Sequence, residues 1–171
     1  MRIYIPVTVR MLHQLVAEGE LFPVAGRAFA VTPALREAFR SGDDEELAEI
    51  AMRDAARASL RLLAAEAEAE AEAAPVTFRR AVLAADFDGE VRLRPDLDDA
   101  VVSVGSAVTM KNVASAHIDL AEAEKAVAQA VDVIDQADLG DTEAEFLLGE
   151  AEDHELAWYA AQELRFLVEL L

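Results

Sequence analysis

The chain contains no cysteine, which excludes disulfides, thiolate metal sites and cysteine nucleophiles. Lysine is nearly missing as well: of 15 basic residues only Lys111 and Lys125 are lysines. The 7 glycines are scattered, so no Gly-rich phosphate loop or dinucleotide fingerprint is present. Neither a nucleophile elbow nor an HExxH helix occurs. These absences argue against chemistry on a standard nucleotide loop, and no cofactor is expected. The longest uncharged run, Ala100 to Met110, is far shorter than a bilayer requires and is broken by Ser103, Gly105 and Ser106. The opening MRIYIPVTVR lacks the apolar stretch and small-residue cleavage site of a signal peptide, so a cytoplasmic location is the expectation.

What is abundant is acid. With 34 acidic against 15 basic residues the net charge is −19, and the summed field repels polyanions. Nucleic acid and anionic membrane are therefore not expected as partners, although a local basic patch remains compatible with the charge. A length of 171 residues suits one domain able to bury a real core.

Local patterns divide the chain into strands and helices. Ile3 and Ile5 face opposite to Arg2 and Tyr4, which reads as a strand that Pro6 should end or hold at an edge. Thr8 can cap a helix carrying Met11, Leu12, Leu15 and Val16, stopped by Gly19. Pro23 and Gly26 punctuate a loop before an extended stretch at Ala28 to Val31. Thr32 and Pro33 start a helix that breaks at Ser41 and Gly42. A long helix follows from Asp43 or Asp44 to Ala73, its buried stripe formed by Leu47, Ile50, Ala51, Ala55, Ala58 and Leu62. Its end, Glu66 to Glu72, alternates glutamate and alanine and reads as a solvated helical extension or a frayed linker.

Val76 to Phe87 returns to strand character, Asp88 and Gly89 signal a turn, and Glu90 to Asp99 reads as irregular. Ala100 to Val104 adds a short strand. Val113 to Ile118 alternates as a strand and leads to Asp119, three residues before Glu122 as in a capping box. Ala123, Val127, Ala130, Val131 and Ile134 then form one helical stripe, and Gly140 marks the next loop. Near the C-terminus, Trp158 and Tyr159 favour a strand over Glu155 to Ala161 followed by a short helix to Leu170, with a continuous helix from Leu156 as the alternative. The order implies an α+β fold: a ferredoxin-like split βαβ with an enlarged helical first crossover, its antiparallel sheet covered by helices on one face.

The segments MRIYIPVTVRMLHQLVAEGEL, AFAVTPALREAF, SAHIDLAEAE and ELAWY together resemble a family of small, uncharacterised actinobacterial proteins classed as a domain of unknown function. The similarity runs from Met1 to Tyr159. It implies a bacterial cytosolic protein and a whole-chain domain, and it brings no activity and no catalytic residues.

The candidate site residues are few. His117 has Asp119 two residues on and could serve as a base or ligand on a sheet face; the alternative is a partly buried histidine bonded to a neighbour. Arg53, Arg57 and Arg61 recur every fourth residue and could hold an anionic ligand, or could pair internally, for instance Arg53 with Glu49. His154 sits among Glu150, Glu152, Asp153 and Glu155, without the spacing of a calcium loop or a zinc helix, so no metal is expected. His13 has no motif around it.

Two functions are compatible with this reading. The first is a non-enzymatic interaction or regulatory module, its partner surface an uncovered sheet face, through which it could form a homodimer, or the arginine stripe. The second is a binding protein or enzyme for a small anionic ligand, its pocket between the sheet and the long helix.

Overall fold

Strict alternation makes the central strand. Ile3, Ile5 and Val7 point to one side of β1 (Arg2–Val7) and Tyr4 to the other, and all four are buried. The computed structural model describes residues 1–69 and 75–171. β1 leads into α1 (Val9–Glu18), whose start is capped by Thr8 accepting from the Met11 N–H, and which ends at a left-handed Gly19. A short β2 (Glu20–Leu21) and β3 (Arg27–Phe29) follow. Thr32 caps α2 (Pro33–Ala38), and the Asp43 carboxylate accepts from the Glu46 N–H at the start of α3 (Asp44–Ala69). The alternating acidic segment expected to carry this helix to Ala73 lies partly outside the described residues.

The second half supplies β4 (Ala81–Asp86), β5 (Val91–Leu93), β6 (Val101–Val104), β7 (Val108–Thr109) and β8 (Val113–Ile118). Then come α4 (Glu124–Asp138), α5 (Thr142–Glu152), β9 (Ala157–Ala160) and the short α6 (Leu164–Leu167). The Trp158–Tyr159 strand and the helical tail after it are as expected. Strands β2, β5 and β7 and helix α5 carry no signal strong enough to be foreseen, and β4 begins only at Ala81, not at Val76.

Seven strands form one sheet in the order β5-β6-β3-β1-β4-β8-β9, and β2 pairs separately with β7. Every neighbouring pair in the large sheet is antiparallel. The protein is thus a mixed helix-and-sheet fold with an antiparallel sheet, but the ferredoxin-like arrangement is not what the strands adopt. That arrangement sets the strands opening the two β-to-α passages side by side; here β4 lies between β1 and β8. Pro6 neither ends nor edges its strand, since β1 pairs with β4 through Pro6↔Val82 to Val7↔Ala81. The ladder to β3 does stop at Tyr4↔Phe29, short of the proline, which has no N–H to give.

The expectation of helices on one face is also corrected. Ile3, Ile5, Leu83, Ala85, Val102 and Ile118 pack against Leu12 and Leu15 of α1 and Leu164 of α6. On the opposite face Tyr4, Val82 and Ala84 meet Leu35 of α2 and Leu47, Ala51 and Ala55 of α3. Both faces are apolar because β4 (AVLAAD) is buried at both phases of its alternation, and its alanines let helices approach closely. A further layer covers α3 itself: Leu60 and Leu63 pack with Val127, Val131 and Ile134 of α4 and Leu148 of α5. The open sheet face on which a dimer was expected to assemble is therefore occupied by the chain's own helices.

Two buried polar anchors hold these layers in register. The Ser59 hydroxyl on α3 donates to the Val7 carbonyl at 2.7 Å and accepts from the Ala81 N–H at 3.1 Å, joining the helix to β1 and β4. Asp119 is not the helix cap its spacing suggested: a 3-10 turn at Ala121–Ala123, with Leu120 at its start and no side-chain cap, precedes α4. Its carboxylate instead meets the Arg80 guanidinium in two bonds of 2.8 Å and accepts the Arg80 backbone N–H as well. Arg80 also donates to the His154 carbonyl, just after α5. The pair closes the ends of β4 and β8 and reaches the connection into β9. Removing one partner strands a buried charge, so Arg80→Met and Asp119→Leu should each cost about 3–5 kcal/mol, with the double variant costing less than the two together. Urea midpoints of the three variants check this; full additivity would mean that the two groups act independently.

Candidate functional site

The face of the sheet beneath α3 is not sealed along its whole length. Beside the first half of the helix lies an open groove of about 350 Å³, lined by Arg2, Tyr4, Ala84, Ser115, His117 and Trp158 from the sheet and by Glu45, Ala48, Glu49 and Met52 from α3. Cross-strand register explains the floor: Tyr4, Ala84, Ser115 and Ala160 stand opposite one another on β1, β4, β8 and β9. Alanine at the second position leaves the depression. His117 pairs with Val82 on one side and Trp158 on the other, which puts the imidazole and the indole at one end of it.

Within the groove, Ser115 Oγ and His117 Nε2 are hydrogen-bonded at 2.9 Å. Both side chains project to the same side because they lie two apart on a strand. Burial first, and then the nearby Arg2 guanidinium, hold the His117 imidazole below the ordinary 6.5, so the ring is neutral at pH 7. Arg2 is itself engaged, donating from Nε at 2.8 Å and from a terminal nitrogen at 3.1 Å to Asp86. Trp158, by contrast, is 62% exposed.

The arginine stripe leads elsewhere. Arg57 donates to Asp138 at 3.1 Å and to Glu145 at 2.9 Å, and Arg61 grips Asp138 at 2.7 and 2.8 Å. These bonds tie α3 to the α4–α5 hairpin and line a second depression, of about 480 Å³, with Asp54 and Asp98. Internal pairing, the ordinary reading of the stripe, is thus what two of its three members do, with partners some eighty residues away. Arg53 lies on an exposed position, lines neither depression and forms no ion pair with Glu49 among the described residues. His117 and the arginines therefore do not share a pocket. Asp54 pays for its position: burial, and then Asp98, raise its carboxyl above the ordinary 3.8 despite Arg53, Arg61 and Arg57 nearby. The acidic residues around His154 gather no metal-binding group among the described residues.

His117 was a candidate because Asp119 lies two residues on, but that carboxylate is engaged by Arg80 and the imidazole bonds Ser115 instead; its companions in the groove were not legible. Arg2, Tyr4 and Trp158 reach it only through strand pairings spanning the chain, and Glu45 and Glu49 only through the packing of α3. The i, i+2 spacing of Ser115 and His117 was the one local signal available.

Because His117 is held neutral in the fold, the unfolded chain takes up this proton first as the pH drops. Its contribution is intact above pH 6.5 and is lost as the pH falls from there towards the lower folded value. The urea midpoint should therefore fall between about pH 7.5 and about pH 5.5, and by less in His117→Gln. Asp54 has the opposite sign: its folded carboxyl binds the proton more readily than the unfolded one, so its ionised form weakens the fold at neutral pH. Asp54→Asn should raise the urea midpoint at pH 7, and an unchanged or lower midpoint would show that the carboxylate is compensated.

No described helix is long and apolar enough to cross a membrane. No curated protein and no solved structure matches the chain. A family model matches residues 1–168, and the chain belongs to that family, described as Family of unknown function (DUF6912).

Proposed function

We propose that this protein is a non-enzymatic binding protein whose ligand seat is the groove between the sheet and the first half of α3. One observation carries the reading: an exposed tryptophan stands at the rim of a depression into which Ser115, His117 and Tyr4 converge. A concave site with an aromatic wall and a few placed polar groups is the usual form of a small-molecule site, and its volume falls in that range. The two apolar faces of the sheet are covered by the chain itself, which favours a small ligand in the groove over a partner laid across the sheet.

Binding is favoured over catalysis by the state of the polar groups. The Ser115 side chain is buried and its hydroxyl is already engaged with His117. Among the described residues no carboxylate hydrogen-bonds to His117, so nothing orients the ring as a base in the manner of a nucleophilic triad. Such a pair offers fixed hydrogen-bonding positions to a ligand.

Trp158 is the only tryptophan in the chain, so its emission reports on this groove and on nothing else. In a thermal-shift screen of small metabolites, compounds that raise Tm should also change Trp158 emission. His117→Ala should weaken their binding about tenfold, the loss of one ligand hydrogen bond. Stabilising compounds that leave the emission untouched and bind His117→Ala as they bind the parent protein would refute the site.

A further inference from the structure

We propose that the ligand of this groove is an organic cation, a primary or quaternary ammonium compound with a short carbon skeleton. The inference rests on the groove being the binding site and adds the chemistry of what it takes.

The charges that line the groove carry the argument. Arg2 is the one permanent cation among them, and its guanidinium is committed to Asp86 through two bonds. His117 is neutral at pH 7. Glu45 and Glu49, on successive turns of α3, carry no hydrogen bond or ion pair to any side chain among the described residues. Glu45 lies in the first turn, where the helix dipole favours a carboxylate; Glu49 lies beyond that turn and has no such reason to be there. The groove therefore presents two uncompensated negative charges, and an anion entering it would be repelled.

Opposite these carboxylates stand aromatic rings. Trp158 exposes its indole at the rim and Tyr4 forms part of the floor, while Ala48 and Met52 complete the helix wall with apolar atoms. Glu45, Ala48, Glu49 and Met52 follow the i, i+3, i+4, i+7 spacing of one helix face, so acid and hydrocarbon are presented together. Carboxylates on one side and an aromatic face on the other suit an ammonium group, which gains charge-assisted bonds from the first and a cation–π contact from the second. Its carbon skeleton would lie against Met52 and Ala48. The net charge of −19 raises the local concentration of cations around the whole molecule.

The test is a titration of the full chain with choline, with 1,4-diaminobutane and with succinate at matched ionic strength, following Trp158 emission and binding heat. The expected result is a saturable emission change with a cation and none with succinate, together with at least a tenfold weakening in the Glu45→Gln/Glu49→Gln double variant. Both glutamates are exposed, so the variant should fold, and an unchanged Tm verifies it. Arg53→Gln, on the same helix but outside the groove, should bind as the parent does. A saturable response to succinate alone, or a double variant that binds cations undiminished, would overturn the organic cation and leave the groove standing. Cation binding detected by heat without any change at Trp158, and insensitive to His117→Ala, would overturn the groove itself. No response to any of the three probes would overturn the proposal.

Discussion

Arg80 and Asp119 bring opposite charges into the interior, where each alone would be intolerable and together they close a junction. The guanidinium and carboxylate are almost wholly buried, and the carboxylate also accepts a backbone N–H while the arginine reaches the His154 carbonyl. Both carboxylate oxygens, the guanidinium Nε and one terminal nitrogen are thus bonded, and such further hydrogen bonds are what lets a buried ion pair offset its desolvation. The junction sets where β4 begins and β8 ends, how the chain turns from β8 towards α4, and where it re-enters the sheet as β9. The groove depends on all three, since Ser115 and His117 ride on β8 and Trp158 on β9.

A second constraint is the thinness of β4, the strand beside the central one. β4 carries alanine on both faces, and α3 presents alanine to the sheet at Ala51 and Ala55. Small side chains on both sides bring helix and sheet close, and Ser59 fixes the contact by bonding to β1 and β4 together. From Arg57 on, the flank of α3 away from the sheet is claimed by the α4–α5 hairpin through Arg57 and Arg61. Among the described residues its first half has no such cover. The groove lies where the helix is packed on the sheet but, among the described residues, carries no further layer at its flank.

Much of the local structure was legible in the sequence because it depends on neighbours only. Thr8, Thr32 and Gly19 bound their helices as their side chains and φ preferences require, and the stripe from Ala123 to Ile134 is buried as its spacing implies. Asp119 shows where such reasoning stops. A carboxylate three residues before a glutamate carries the same local signal whether it caps a helix or meets an arginine thirty-nine residues away. Burial decided the matter, because an unpaired Arg80 inside the fold would cost far more than an uncapped helix start. Arg57 and Arg61 show the same limit of local reasoning: their spacing allowed a ligand or internal pairing, and the partners Asp138 and Glu145 that make them a brace lie some eighty residues on.

The sequence by itself determined a cysteine-free, strongly acidic chain of alternating strands and capped helices, since composition and short-range periodicity need no knowledge of distant residues. Which strands became neighbours, that helices cover both faces, and which side chains meet at His117 were decided by the tertiary structure alone. Antiparallel pairing is set by the fit of whole faces, and β1, β4, β8 and β9 come together from positions spread over nearly the entire chain. No local pattern encodes such a meeting, and the groove is built from nothing else.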